Sequence, residues 1–305
     1  MWLHADRVKK SGNMKNIMLE RIKSRIFKTI KKHKLVENRD KIFVALSGGK
    51  DSVTALFALK EYIEKHNITC ELRGLHINFC LSVSEKIQKT VENQAKLAGI
   101  ELEVVYLKDF GIVFRDIVKK TARSPCSVCG VIKRYLMNRI PREKGANKIA
   151  TGHNMDDFIV FFFKNFLNKN FEWISKFKPK IESEHQKLIT KIRPLFYVGN
   201  KECELFCKEL GIEYTPPGIC PYTPFKSKKW YEIIYSIENL HKEFRYQMAK
   251  SIASSARFFK NLYSEKKIVE CKLCGELTEQ EICGFCKLRN NYAGDSCNSL
   301  RGNRN

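Results

Sequence analysis

The sequence predicts an α/β fold: a doubly wound parallel sheet with a basic helical flank and a small C-terminal zinc ribbon. Three observations carry this. From residue 41 onward, short apolar or β-branched runs alternate with helix-length stretches; the first 34 residues are strongly basic; and four cysteines stand as two C-x-x-C pairs near the end. Lys41 to Leu46 (KIFVAL) reads as a buried strand, Ser52 to His66 as a helix, and Cys70 to Phe79 as a strand. Ser84 to Ala98 reads as a helix stopped by Gly99, where a left-handed cap suits glycine. Glu101 to Leu107 follows as a strand, then Lys148 to Thr151 as another strand leading into a helix from Asp156. Ligands of such sheets sit beyond the carboxyl ends of the strands.

Composition narrows the function. Of 305 residues, 56 are Lys or Arg and 33 are Asp or Glu, a formal net charge of +23, while 43% hydrophobic content supplies an ordinary core. Disorder, collagen-like structure and a membrane span are all disfavoured; the longest apolar run, Phe158 to Phe163, is far short of the roughly 20 residues a span needs. The first residues lack an apolar core and a small-residue cleavage site, which predicts a cytoplasmic protein. In that reducing setting, twelve cysteines suit metal ligation or thiol chemistry better than disulfides.

The charge is concentrated. Residues 1–34 hold eleven Lys/Arg and two acids, with Ile17, Ile22, Ile26 and Ile30 at helical steps, so a basic amphipathic helix is expected. Residues 226–267 hold ten Lys/Arg against four acids, interleaved with Trp230, Tyr231, Tyr235, Phe244, Tyr246, Phe258, Phe259 and Tyr263. This pattern suits nucleic-acid binding, although for any single aromatic a place in a helix-packing stripe is the plainer reading.

Ser47-Gly48-Gly49-Lys50-Asp51-Ser52 ends the first strand and opens a helix. Two glycines free backbone N–H groups to converge on an anion, the helix N-terminus adds positive potential, and serine hydroxyls and Lys50 complete a pyrophosphate cradle. Asp51 suits a magnesium ligand or a cap. The loop is not a Walker A motif, which has different spacing. At a second strand end lies Thr151-Gly152-His153-Asn154-Met155-Asp156-Asp157, whose carboxylates suit Mg2+ or a general base.

Cys126 and Cys129 form a lone C-x-x-C, compatible with half a zinc site, a redox dithiol or a sulfur relay. A further thiol, Cys220, precedes a proline. Three thiolates cannot close an all-cysteine tetrahedral zinc site but can hold a cubane cluster with one iron open. Cys271-x2-Cys274-x8-Cys283-x2-Cys286 is a much stronger signal, a four-cysteine site for structural Zn2+.

SGGKDS resembles the signature of the PP-loop ATP pyrophosphatases, which have the adenine nucleotide alpha hydrolase-like fold and cleave ATP between its α and β phosphates. Joined with the C-x-x-C, TGHNMDD, Ile192-Arg193-Pro194-Leu195 and Cys220-Pro221-Tyr222, it resembles the TtcA/TtuA-type tRNA thiolase branch, over about residues 38–290. The resemblance implies ATP-dependent adenylation of a tRNA base followed by replacement of its carbonyl oxygen with sulfur. It further implies a [4Fe-4S] cluster on Cys126, Cys129 and Cys220, catalytic help from Lys133 and from Asp156 or Asp157, and ATP and Mg2+ at residues 47–52 and Gly152. A homodimer and a sulfur donor, either a ubiquitin-like thiocarboxylate protein or sulfide, are implied as partners. The alternatives are a zinc site or persulfide relay at the lone C-x-x-C, an adenylating amidotransferase or synthetase of the same fold, and a nonenzymatic RNA-binding protein. The expected organisation is a basic helix at 1–37, the PP-loop domain at 38–225, a basic helical segment at 226–268, the ribbon at 269–290 and a tail at 291–305. Two features depart from the family pattern: no cysteine-rich module precedes the core, and His76-Ile77-Asn78-Phe79-Cys80-Leu81 stands where an acidic residue and glycine are common.

Overall fold

The computed structural model describes residues 2–222, 226–262 and 268–292, with residues 2–15, 226–228 and 292 described by backbone alone. Tyr263, Cys297 and all but the first two residues of the 291–305 tail lie outside the described residues. The chain opens with α1 (Trp2–Lys32), β1 (Lys41–Ala45), α2 (Lys50–Lys65), β2 (Glu71–Asn78), α3 (Ser84–Ala98) and β3 (Glu101–Tyr106). After one 3₁₀ turn at Leu107–Phe110 come α4 (Phe114–Lys120), α5 (Pro125–Glu143), β4 (Lys148–Ala150), α6 (Met155–Leu167) and α7 (Phe171–Ile174). Then follow β5 (Lys180–Ile181), β6 (Thr190–Ile192), α8 (Asn200–Glu209), α9 (Lys226–Leu240) and α10 (Phe244–Asn261). The described chain closes with β7 (Val269–Glu270), β8 (Leu277–Thr278) and α11 (Gly284–Tyr292).

Six strands form one sheet in the order β3-β2-β1-β4-β6-β5. All neighbours are parallel except β5, which runs antiparallel to β6 at the edge. From β1 the chain builds outward to β2 and β3, then returns to place β4 on the other side of β1. The order therefore reverses between β1 and β4, and the crevice beyond their carboxyl ends is where such a sheet takes its ligand.

Alternation along β1 loads both faces. Ile42 and Val44 join α1, α2 and α8 in one apolar cluster, while Phe43 faces α4, α5 and the C-terminal cysteines in another. A third cluster gathers α6, α7, α9 and α10 around Phe158, Phe196 and Ile252. Beneath β4, the buried Lys148 ammonium donates to Asp40 at 2.7 Å and Glu37 at 2.8 Å, so its charge is paired where water is excluded.

The structure refines several expectations. The sheet is mixed rather than wholly parallel, because the two-residue β5 carries no periodic signal. Helix α2 starts at Lys50, two residues early, because Gly49 takes the N-cap position. In the basic N-terminal helix, Ile22, Ile26 and Ile30 are buried, but Ile17 is 50% exposed, so the apolar stripe stops short of it. Among the aromatics of the second basic stretch, Trp230, Phe244, Tyr246 and Phe259 pack on the third cluster, whereas Phe258 is exposed. Among the described residues no helix is long and apolar enough to cross a membrane.

Helix α1 is thus part of the core. Ile26→Ala, at a fully buried position, is expected to cost about 2–5 kcal/mol in a denaturant melt. A loss below about 0.5 kcal/mol, as at an exposed site, would contradict this packing.

Candidate functional site

The glycine-rich turn is held from both sides. Gly48 has φ +81°, a conformation that favours glycine, and a Cβ there would lie 2.8 Å from Thr215 Oγ1. The Gly48 carbonyl accepts from the Thr215 amide at 2.8 Å and from Gln94 Nε2 at 3.1 Å. Ser52 Oγ accepts the Ser47 amide at 3.2 Å and donates to the Gly49 carbonyl at 2.9 Å, tying the ends of the turn together. Gly49 offers no side-chain cap, so the amides of the first turn of α2 are left for an anion. Lys50 Nζ reaches both Asp51 oxygens (2.9 and 2.8 Å) and Asn200 Oδ1 (2.8 Å). Burial works against the Lys50 charge, but Asp51 outweighs it and the ammonium is held above its ordinary range.

The turn after β4 presses against this loop. A Cβ on Gly152 would stand 2.6 Å from the Ser52 amide nitrogen and 2.7 Å from the Asp51 carbonyl carbon, so no other residue fits without parting the backbones. Asn154 caps α6, its side chain accepting from the amides of Asp156 and Asp157, while Asp157 Oδ2 accepts from the Asn154 amide at 3.1 Å. The paired aspartates then diverge. Asp156 is fully buried and accepts from the Asn200 amide (2.8 Å), Tyr235 hydroxyl (2.8 Å) and Arg245 guanidinium (2.9 Å). Asp157 accepts from the Tyr231 hydroxyl at 2.7 Å. Burial lifts the Asp157 carboxyl to about 6; the Tyr231 hydrogen bond opposes the rise and Asp51 adds to it.

Beyond the strand ends lies a cavity of about 610 Å³. Its wall joins Ser47, Asp51, Ser52, Gly152 and His153 to Lys133, Cys126, Cys129 and Cys220. The structure therefore brings the anion loop and all three isolated thiols to one space. Gly48, Gly49 and Lys50 shape the loop, and Asp156 and Asp157 stand outside the wall. Cys126 and Cys129 occupy the first turns of α5, which Ser124 caps and Pro125 opens. Lys133 follows one turn after Cys129, its ammonium 5.7 Å from the centre of the Phe79 ring.

The thiols suit a polynuclear group. Burial raises the Cys129 thiol, Lys133 partly counters this, and Cys220 and Cys126 push it up further, so a cationic centre would favour the Cys129 thiolate. A tetrahedral zinc, with Zn–S near 2.3 Å, sets sulfurs about 3.8 Å apart. Among the described residues only Cys271, Cys274, Cys283 and Cys286 gather all their ligand atoms within 4.8 Å, with Cys274 and Cys283 sulfurs at 3.7 Å. Those four fit a single ion, and amides of Cys283 and Cys286 donate to sulfurs of Cys271 and Cys283 as in a metal knuckle. Cys126, Cys129 and Cys220 line the cavity but are not gathered this closely, so the three do not match the spacing of a single tetrahedral ion.

The loop that departs from the family pattern forms another part of the wall, through His76, Ile77, Phe79 and Leu81. His76 is buried and directs Nδ1 to the Leu46 carbonyl at 2.9 Å; burial lowers its pKa, which favours the neutral ring.

Comparisons with known proteins fit this geometry. A PP-loop domain family matches residues 18–216. The tRNA-5-methyluridine(54) 2-sulfurtransferase of Pyrococcus horikoshii is 34% identical over 275 residues, covering 88% of this chain and 84% of that protein. The chain belongs to the PP-loop tRNA thiolase family. The enzyme of the same name from Thermotoga maritima is 31% identical, with 88% of this chain and 87% of that protein covered. A solved U34-tRNA thiolase, NcsA from Methanococcus maripaludis with its [4Fe-4S] cluster, superposes with a TM-score of 0.76 at 27% identity, covering 91% of this chain and 89% of that one.

Several residues of this thiolase-family site were not singled out by sequence reasoning. Asn200 joins Lys50, Asn154 and Asp156 across three segments, yet a lone asparagine at a helix start carries no sequence signal. Tyr231 and Tyr235 fall among the aromatics read as helix-packing or nucleic-acid contacts, and nothing local marks this i, i+4 pair as a carboxylate clamp.

Gly152→Ala is expected to weaken ATP binding about tenfold or more, since forced overpacking costs about 1–3 kcal/mol. Calorimetric titration with ATP checks this; wild-type affinity would show that the two turns have room to separate.

Proposed function

We propose that this protein is an ATP-dependent tRNA sulfurtransferase that converts the 2-carbonyl of a pyrimidine to a thiocarbonyl. The observation that carries the reading is the single cavity walled by both the anion loop and the three thiols. ATP occupies the loop; the base oxygen attacks the α-phosphorus, the α–β P–O bond breaks, and pyrophosphate leaves with the electron pair. Sulfide sulfur then attacks the activated carbon, the C–O bond breaks, and AMP leaves. Ser47, Gly48, Gly49 and Ser52 hold the pyrophosphate, and Gly152 lets the two turns meet over it. Asp51, which lines the cavity, would hold Mg2+ beside the phosphates, and Asp157, behind the wall, would add negative charge near Asp51. Lys133 offsets negative charge near the thiols and the departing AMP. Asp156, already saturated by Asn200, Tyr235 and Arg245, positions the turn. A [4Fe-4S] cluster on Cys126, Cys129 and Cys220 would supply one iron without a protein ligand, open to sulfide. The names of its relatives support tRNA as the substrate; a cytoplasmic location, a homodimer and sulfur supplied by a ubiquitin-like thiocarboxylate protein or sulfide complete the proposal.

Cys271, Cys274, Cys283 and Cys286 would hold Zn2+, which would have a structural role in the ribbon. Tyr135 and Phe285 stack at 3.8 Å, and Arg142 pairs with Glu276, so α5 carries the thiols on its first turns and the ribbon farther along.

Cys126→Ala, Cys129→Ala and Cys220→Ala should each reduce thionucleoside formation by about a hundredfold or more in anaerobically reconstituted protein, with ATP affinity preserved. Undiminished thiolation by any of the three would exclude the cluster. Metal analysis of protein free of iron should give one zinc per chain, and Cys283→Ser should remove it and lower the melting temperature. A zinc-free wild type with unchanged melting would refute the ribbon.

A further inference from the structure

One flank of the cavity, beyond His153, holds cations that the steps above do not use. Rings link them to the wall: His153 lies 6.1 Å from Phe158, and the Arg193 guanidinium sits 4.7 Å above Phe158. Arg193 is fixed by donating to the carbonyls of Lys176 (2.5 Å) and Lys178 (2.8 Å). Lys191 lies two residues before Arg193 across the end of β6, on the same side of the pleat. Arg134, one residue after the cavity-lining Lys133, and Lys176 both approach the ring of Trp173, at 5.4 and 5.0 Å. Trp173 is 44% exposed.

The charge balance at this flank is one-sided. Arg134, Lys176, Lys191 and Arg193 converge, and their one carboxylate contact among the described residues is Glu172, 3.7 Å from Lys176 Nζ. The Lys191 backbone pairs within the sheet, but its ammonium has no hydrogen-bond or ion-pair partner among the described residues. Burial, with repulsion from Arg193, Lys176 and Arg134, brings the Lys191 ammonium down to about 8. A partly buried ammonium without a counter-ion is costly, and a bound anion removes that cost. A cluster of cations beside a half-exposed indole is the pairing that single-stranded nucleic acid uses: phosphates on the cations and an unstacked base on the ring.

We propose that Arg134, Lys176 and Lys191 bind the RNA backbone beside the nucleotide presented to the cavity, and that Trp173 stacks on an adjacent unpaired base. This rests on the reading of tRNA as substrate and assigns the residues that hold it at the mouth of the site.

The test is fluorescence-anisotropy binding of a labelled, unmodified tRNA transcript to the full chain, over a salt series, with ATP affinity and melting measured in parallel. Lys191→Met keeps the stem and removes the charge. It should raise the Kd for tRNA about fivefold or more and lower the salt slope by about one, leaving ATP affinity unchanged. Trp173→Ala should weaken tRNA binding about fivefold or more, while Trp173→Phe should retain most of the affinity because a ring still stacks. Wild-type Kd and slope in Lys191→Met, or equal loss in Trp173→Ala and Trp173→Phe, would overturn the inference while leaving the sulfurtransferase reading in place. Absence of tRNA binding by the wild-type chain would overturn both.

Discussion

The site depends on the contact between two turns at the point where the sheet reverses its strand order. Gly152 lies so near the Ser52 backbone that a single methyl group would separate them. Because β1 and β4 are adjacent and parallel, the turns leaving their carboxyl ends must share one crevice. Their close approach makes that crevice a continuous wall, so a phosphate held on the loop after β1 is bordered by the turn after β4. Asn200 then binds both turns through its side chain and holds Asp156 through its amide, joining α8 to the same point.

Helix α5 links the chemistry to the rest of the fold. Its opening turns present Cys126 and Cys129, the next brings Lys133 to the wall, and its later residues meet the ribbon through Tyr135, Asn138 and Arg142. A shift of the ribbon is therefore transmitted to the thiols through one rigid element. On the opposite side, α9 and α10 reach the paired aspartates through Tyr231, Tyr235 and Arg245. The basic segments at the two ends of the chain are thus integrated with the site: α1 contributes Ile22, Ile26 and Ile30 to the core, and α10 contributes an arginine to a buried carboxylate.

Much of this was legible in the sequence because local patterns carried it. The β1 strand, the α3 helix with its Gly99 cap and the glycine-rich turn all follow from short-range periodicity and backbone freedom, and the helix from Ser84 to Ala98 matches residue for residue. The four C-terminal cysteines carry their own spacing. What remained hidden was set by distant contacts. Nothing local distinguishes Asp156 from Asp157, yet Tyr235 and Arg245 saturate the first, while Tyr231 holds the second near Asp51. Likewise, no local pattern marks Lys191, whose neighbours Arg134 and Lys176 come from distant segments.

The central claim is that one cavity both activates an RNA carbonyl with ATP and delivers the replacing sulfur. The most direct measurement is the stoichiometry of a single anaerobic reaction, counting AMP released and thionucleoside formed on the same tRNA, with and without sulfide. The account predicts no thionucleoside without ATP, and one AMP for each sulfur incorporated when sulfide is present. Sulfur incorporation without ATP, or thionucleoside formed in excess of AMP, would contradict it.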